Sequence, residues 1–159
     1  MTTANETDME FMRQALLLAR AAADLDEVPV GAVIVHDGEV IAAAHNENRG
    51  SRNPVRHAEI CAIERAASFL ENERLTGCVM YVTKEPCAMC SGAIVHARIE
   101  KVYIGARDIK YGACGTVLSV CGNSVLNHVP LIEFGLLEGD CAGILREFFR
   151  MKREAGAET

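Results

Sequence analysis

The sequence has no apolar run long enough to cross a membrane, which excludes a spanning helix of about 20 residues. Its N-terminus is polar and slightly acidic, and it lacks the basic start and apolar stretch of a signal peptide. Repeats, low-complexity segments and linkers are also absent. We therefore expect one cytoplasmic domain over residues 1–159. Disorder is expected only in about six N-terminal and about five C-terminal residues.

The sequence also lacks the pattern of a disulfide framework. Its seven cysteines are an odd number scattered through mostly apolar segments, and without a signal peptide a reducing compartment is expected. Buried cysteine commonly packs as a small hydrophobic residue. We interpret five of them as core residues: Cys61, Cys78, Cys114, Cys121 and Cys141. Only Cys87 and Cys90 have the spacing of metal ligands.

A positive net charge is lacking too. The formal net charge of −6 argues mildly against nucleic acid as a partner. Basic residues nevertheless cluster in three places, within residues 49–56, 107–110 and 146–153. A locally basic rim on an acidic body is one interpretation. Ordinary solvated faces agree at least as well with the charge pattern alone.

Hydrophobic periodicity predicts an α/β domain. Helices are predicted over residues 7–24, 57–70, 86–97 and 137–153. Strands are predicted over residues 30–35, 40–44, 77–83, 99–105 and 129–134. Thr7 and Glu10 have the spacing of a capping box at the start of the first helix. Asp37-Gly38 predicts a hairpin turn between the first two strands, and residues 45–56 are predicted to form a polar loop. Because strands joined by helices lie parallel, we predict a three-layer α/β/α domain with a mixed, roughly five-stranded sheet.

Three potential metal ligands lie at two predicted helix starts. Cys87 and Cys90 are three residues apart, so both thiols are expected on one face of the helix that Pro86 opens. The helix dipole favours thiolates there, which is the form that binds metal. His57 begins another helix and is the natural third ligand. Two thiolates and an imidazole suit zinc better than magnesium or calcium.

The fourth position of this site has two interpretations. Cys61, four residues after His57, would close a structural site with four protein ligands. Glu59 is badly placed as a further ligand on a regular helix but could take a proton from water at an open, catalytic site. Spacing favours the open site and leaves the closed one as the alternative.

The His-x-Glu and Pro-Cys-x-x-Cys motifs together resemble the signature of the zinc nucleoside and nucleobase deaminases, and this assignment comes from the resemblance. Within that superfamily the chain resembles the bacterial tRNA wobble-position adenosine deaminases. The matching segments are PVGAVIV from Pro29, HAEICAI from His57, YVTKEPCAMCSGAIVHARI from Tyr81, VYIGARDIKYGACGT from Val102 and FFRMKR from Phe148. They extend over nearly the whole chain.

This resemblance implies a cytidine-deaminase-like fold that binds one zinc ion per subunit through His57, Cys87 and Cys90. Glu59 would be the catalytic acid and base in hydrolytic deamination of adenosine to inosine. The implied partners are a tRNA anticodon stem-loop and a second copy of the chain in a homodimer.

The resemblance also assigns substrate contacts. Near the base it implies Asn46, the Ala58 backbone, Pro29 and Val30, and near the nucleic-acid backbone Asp108. An RNA-binding rim would comprise Arg107, Lys110, Phe149, Arg150 and Arg153.

Two departures from the family pattern bear on substrate preference. Lys84 stands at a pocket-side position where an apolar residue is expected, and it could add a phosphate contact or alter substrate fit. Val55-Arg56 stands where threonine and a small residue are more usual. A deaminase of a free base or nucleotide (guanine, cytidine or deoxycytidylate) is the alternative function. A non-catalytic zinc-stabilised module closed by Cys61 is a third hypothesis.

Overall fold

Helices and strands alternate along the chain much as the periodicity predicts. The computed structural model describes residues 4–157. Helices in this range are α1 (Glu6–Asp24), α2 (Asn48–Ser51), α3 (Ala58–Leu70), α4 (Ala88–Ala97) and α5 (Glu138–Ala157). Strands are β1 (Gly31–His36), β2 (Glu39–His45), β3 (Val79–Lys84), β4 (Lys101–Ala106) and β5 (Leu131–Phe134).

The five strands form one mixed sheet in the order β2-β1-β3-β4-β5. β1 is antiparallel to both of its neighbours, whereas β3, β4 and β5 are parallel. Parallel strands place their carboxyl ends at one edge of a sheet. The segments after Lys84 and Ala106 therefore leave the sheet side by side.

Helices cover both faces of the sheet, which confirms the predicted three layers. α1 and α5 pack on one face, and α3 lies on the other face against β1 and β2, with α4 beside it. Side chains along β1 alternate between the two cores: Ala32 and Ile34 belong to the core under α3, whereas Val33 and Val35 belong to the core under α1. Burial on both faces explains why the central strands are nearly continuously hydrophobic.

The N-terminal helix begins earlier than predicted. The capping box joins Asn5 and Asp8, each side chain accepting from the other's backbone N–H, so the prediction of Thr7 and Glu10 was wrong. Asp8 also accepts hydrogen bonds from the hydroxyl groups of Tyr81 and Tyr103. Those long-range partners select Asp8 as a cap, because they tie the helix end to the sheet.

The hairpin between β1 and β2 and the segment after β2 show how local sequence signals were realised. The predicted hairpin turn is confirmed, with positive φ at both Asp37 and Gly38. The segment after β2 contains the single helical turn α2 as well as loop.

Of the terminal residues for which we predict disorder, 1–3 and 158–159 lie outside the described residues, whereas Glu6 begins α1 and residues 155–157 belong to α5. Among residues 4–157 no helix has both the length and the apolar character needed to cross a membrane.

Two glycines let helices of one layer approach the strands closely. A Cβ atom on Gly31 would lie 2.0 Å from the backbone oxygen of Ala15 in α1. A Cβ atom on Gly105 would lie 2.3 Å from the Cys141 sulfur in α5. Any side chain at either position would push its helix away from the sheet.

We expect Gly31→Ala to lower the free energy of unfolding by about 3 kcal/mol, because a methyl group there meets helix backbone. Gly139→Ala is the matched control: nothing lies within 4 Å of a Cβ atom at that helical position, and alanine there should be neutral or stabilising by up to ~1 kcal/mol. Urea unfolding of both variants measures the difference. Equal stability of the two would contradict the close packing of α1 on β1.

Candidate metal centre and basic groove

The three predicted metal ligands come together at the N-termini of two helices. His57 is the N-cap residue of α3, and Cys87 is the N-cap residue of α4, which packs beside it. Pro86 precedes this N-cap instead of opening the helix as predicted. Both thiols thus lie at a helix end where unpaired N–H groups and the helix dipole favour negative charge.

The donor atoms of these residues form a tight group. The Nδ1 atom of His57 lies 3.7 Å from the Cys87 sulfur and 3.4 Å from the Cys90 sulfur. All three donor atoms lie within 4.8 Å of one another. Among residues 4–157 this is the only group of three or more histidine, cysteine or acidic side chains placed to hold a metal ion.

Charge in this group is arranged for metal binding. The neighbouring Cys90 thiol, together with His57, lowers the pKa of Cys87 to about 4. The Cys87 sulfur and burial raise the pKa of Cys90, so Cys87 is the thiol that ionises more readily. The Cys87 sulfur in turn raises the pKa of His57. A metal cation would replace the remaining protons and stabilise both thiolates.

Glu59 lies beside the metal group as a buried acid. It is the second residue of α3 and only 4% exposed, and its carboxyl group lies close to the Cys90 thiol. Burial raises the pKa of Glu59 above its ordinary value. A raised pKa lets a carboxyl group keep a proton at higher pH than an ordinary glutamate does, which suits a group that both accepts and donates protons.

Cys61 belongs to a different network. Its buried thiol donates to the Glu47 carboxylate at a sulfur–oxygen distance of 3.5 Å, and it is not part of the metal group found among the described residues. The i, i+4 argument assumed that His57 is helical, but this residue has extended backbone angles as the N-cap. Its side chain therefore follows a different direction from that of Cys61. Arg56 completes the network by pairing with both Glu47 and Glu64.

The predicted base-binding residues are linked to one another next to His57, which Ala58 follows in the chain. The Asn46 amide oxygen accepts the backbone N–H of Ala58 at 2.8 Å, which joins the end of β2 to the start of α3. That N–H is therefore already engaged, whereas the amide nitrogen of Asn46 is the donor left for a ligand. Val30 accepts the backbone N–H of Asn46, and Val30 and Pro29 are both buried.

Glu85 is a functional candidate that the sequence reasoning missed. Its side chain is only 2% exposed, and it follows the last residue of β3 directly. One carboxylate oxygen accepts from the Asp108 N–H and the Thr116 hydroxyl, and the other accepts from the N–H groups of Cys114 and Thr116. Glu85 therefore fixes the loop after β4. The available signal was an acidic residue between a buried strand and Pro-Cys.

Lys84 and Asp108 form an ion pair at the ends of β3 and β4. The ammonium nitrogen lies 3.1 Å from one oxygen of the carboxylate. The other oxygen accepts the N–H groups of Lys110 and Tyr111. Burial raises the pKa of Asp108, but these N–H groups and the Lys84 charge outweigh it and hold the pKa below its ordinary value. The Asp108 carboxylate is thus ionised at neutral pH.

A basic groove begins at this ion pair and runs between the loop after β4 and helix α5. Its volume is about 1300 Å³. The predicted rim residues all line it: Arg107, Lys110, Phe149, Arg150 and Arg153. Arg146 and Lys152 line it too. The sequence placed both in the basic cluster of residues 146–153 but not in the RNA-binding rim.

Comparisons with known proteins give the family. A family model described as MafB19-like deaminase matches residues 6–153. The chain is similar to the tRNA-specific adenosine deaminase of Agrobacterium fabrum, with 47% identity over 90% of this chain and 94% of that one. It is also similar to the tRNA-specific adenosine deaminase of Bacillus subtilis, with 42% identity over 92% of this chain and 91% of that one.

Solved structures agree with these relatives. A structure from studies of A-to-I editing by tRNA:A34 deaminases at the wobble position has a TM-score of 0.83 and 45% identity, over 86% of this chain and 99% of that one. A guanine deaminase from Nitrosomonas europaea has a TM-score of 0.78 and 25% identity, over 93% of this chain and 86% of that one. The fold and the family expected from the motifs are therefore confirmed, and the chain belongs to the tRNA-specific adenosine deaminases.

Proposed function

We propose that this protein hydrolytically deaminates adenosine to inosine at the wobble position of a tRNA anticodon loop. The observation that carries this function is the identity of 42% and 47%, along nearly the whole chain, to tRNA-specific adenosine deaminases. The groove supports it, because an otherwise acidic chain concentrates basic side chains beside the candidate metal centre. A tRNA substrate implies action in the cytoplasm.

We propose that His57, Cys87 and Cys90 hold one zinc ion per subunit. Tetrahedral zinc, with Zn–S of about 2.3 Å and Zn–N of about 2.0 Å, needs sulfur and nitrogen about 3.5 Å apart. The observed separations of 3.7 Å and 3.4 Å fit that requirement. When bound with an open position, zinc supplies Lewis acidity that makes water a nucleophile near neutral pH.

Glu59 is the proton carrier in this proposal. Its carboxylate takes a proton from the attacking water, passes one to the adenine ring, and assists the departure of ammonia. Its burial favours this role, because a carboxyl group with a raised pKa is effective as both base and acid near neutral pH.

Recognition of the flipped adenosine is divided between two surfaces. The amide of Asn46, the Ala58 backbone, Pro29 and Val30 would surround the base. Arg107, Lys110, Phe149, Arg150 and Arg153 would hold the RNA, with Phe149 available for base stacking and the cations for phosphates. Contacts with the nucleic-acid backbone at Asp108 and Lys84 would connect the two surfaces.

The segment between β4 and β5 supports assembly of the protein as a homodimer. Five apolar side chains within residues 117–129 of this segment are exposed: Val117, Leu118, Val125, Leu126 and Val129. Val125 alone is 89% exposed. Burying such a segment against a second copy would remove apolar surface from water on both subunits.

The substrate is tested by incubating purified protein with a tRNA that carries an unmodified wobble adenosine, and separately with guanine and cytidine. Inosine at the wobble position, read by sequencing, is the expected product. Turnover of guanine alone would overturn the proposal in favour of a free-base deaminase, the activity of one structural relative.

Glu59→Ala should keep the metal and lose roughly a thousandfold or more in the rate of inosine formation, because the proton carrier is gone. Glu64→Ala is the matched control on the same helix, with an exposed carboxylate that pairs with Arg56, and it should keep near-normal activity. Single-turnover assays on zinc-loaded protein measure both rates. Full activity of Glu59→Ala would refute the assigned role.

The purified wild-type chain should contain about one zinc ion, by inductively coupled plasma mass spectrometry. Cys87→Ser should lose the metal, because a sulfur donor atom is removed. Cys61→Ser should keep the metal, because the Cys61 thiol donates a hydrogen bond to Glu47 and is not a ligand. Loss of zinc from Cys61→Ser would instead favour the closed structural site.

Light scattering after size exclusion should give twice the chain mass of 17.2 kDa. Val125→Glu should shift the protein toward monomer, since it places a charge in the apolar segment. Leu17→Glu, at an exposed apolar position on α1, is the control and should remain dimeric. A monomeric wild type would contradict the dimer.

A further inference from the structure

The ion pair between Lys84 and Asp108 occupies the junction of the metal centre and the groove. Lys84 is the last residue of β3, three residues before Cys87, and Asp108 lies two residues beyond the end of β4. Both side chains line the groove. An RNA that delivers its adenosine to Glu59 from the groove would pass this pair.

The Asp108 carboxylate has three partners of its own within the protein. One oxygen accepts two backbone N–H groups of its own loop, and the other holds the Lys84 ammonium. The Asp108 backbone N–H is bound in turn to the buried Glu85. The Asp108 side chain is only 10% exposed. Asp108 is therefore a fixed anchor for the Lys84 ammonium.

The Lys84 ammonium, in contrast, retains hydrogen-bonding capacity. An ammonium group has three donors, and the pair with Asp108 uses one of them. The side chain is 27% exposed, on the wall of the groove. Two other groove cations also have carboxylate partners: Arg150 pairs with Glu147 and Glu154, and Lys152 pairs with Asp26.

We propose that Lys84 binds an RNA phosphate next to the reacting adenosine and that Asp108 is the positioning residue that holds the ammonium in place. This inference rests on the proposed function. Phosphate is the group that fits, because an ammonium only donates hydrogen bonds and acts as a point charge. Holding the lysine before RNA arrives reduces the side-chain entropy lost on binding.

The salt dependence of RNA binding tests the contact. Fluorescence anisotropy with an RNA stem-loop that carries the adenosine gives the Kd of each variant at several salt concentrations. Lys84→Met should weaken binding about fivefold at low salt. It should also reduce the slope of log affinity against log salt by about 0.7, the contribution of one phosphate contact in a single strand. Lys84→Arg should retain most of the wild-type affinity and most of the wild-type salt slope.

Lys101→Met is the matched control. Lys101 also forms an ion pair at a strand end, with Glu133 at 3.5 Å, and has a similar side-chain exposure of 21%. It begins β4 and therefore lies at the opposite edge of the sheet from the groove. Its replacement should leave the salt slope unchanged. An unchanged slope in Lys84→Met as well would overturn the phosphate contact and leave Lys84 as a structural partner of Asp108.

Neutral methylphosphonate linkages then locate the phosphate. Neutralising one linkage beside the adenosine should weaken wild-type binding about fivefold and should have little effect on Lys84→Met, because the two changes remove the same contact. The loss of affinity caused by neutralising that linkage should also be smaller in Asp108→Asn. This variant keeps an acceptor for the N–H groups of the loop but no longer holds the Lys84 ammonium. Equal penalties in all three proteins would overturn both the contact and the positioning role.

Failure of this inference is distinguishable from failure of the proposed function. RNA binding with normal inosine formation and an unchanged salt slope in Lys84→Met would overturn only the phosphate contact. Absence of inosine from tRNA with the zinc-loaded wild type would overturn the proposed function. No measurable binding of the stem-loop by the wild type would overturn both.

Discussion

The whole site depends on two helix N-termini that meet on one face of the sheet. His57 caps α3 and Cys87 caps α4, so the imidazole and the thiols converge where backbone N–H groups are unpaired. That arrangement stabilises the Cys87 thiolate before any metal is present. It also places Glu59 in the first turn of α3, buried against the Cys90 thiol. The proposed ligands and the proposed proton carrier thus derive from the same packing of two helices.

A second constraint acts through Glu85. Its carboxylate gathers hydrogen bonds from both ends of the loop that follows β4. This fixes Asp108, and through it Lys84, at the entrance to the groove. The groove carries seven cationic side chains among its lining residues, on a chain whose net charge is −6. Net charge was therefore a poor guide to the partner, because a local concentration of cations governs the binding of nucleic acid.

Much of the fold was predictable, because amphipathic helices and buried strands have distinct periodicities. The hairpin at Asp37-Gly38 was predictable for a local reason, the need for positive φ. Predictions were wrong where several local arrangements were similar in energy and a long-range contact stabilised one of them. Asn5 and Asp8 cap α1, in place of Thr7 and Glu10, because Asp8 also binds Tyr81 and Tyr103. The role of Glu85 was missed because all four of its donors are more than 20 residues away.

By itself the sequence determined the chemistry available to this protein. The spacing of Cys87 and Cys90, with His57 and Glu59 as partners, specified which atoms could bind a metal or carry a proton, since ligand preference is a property of side-chain type. Only the tertiary structure decided how those atoms are used. It separated Cys61 from the metal group, because His57 lies outside the regular helix as its N-cap. It also joined Lys84 to Asp108, because parallel strands end at a common edge and bring residues 24 positions apart into contact.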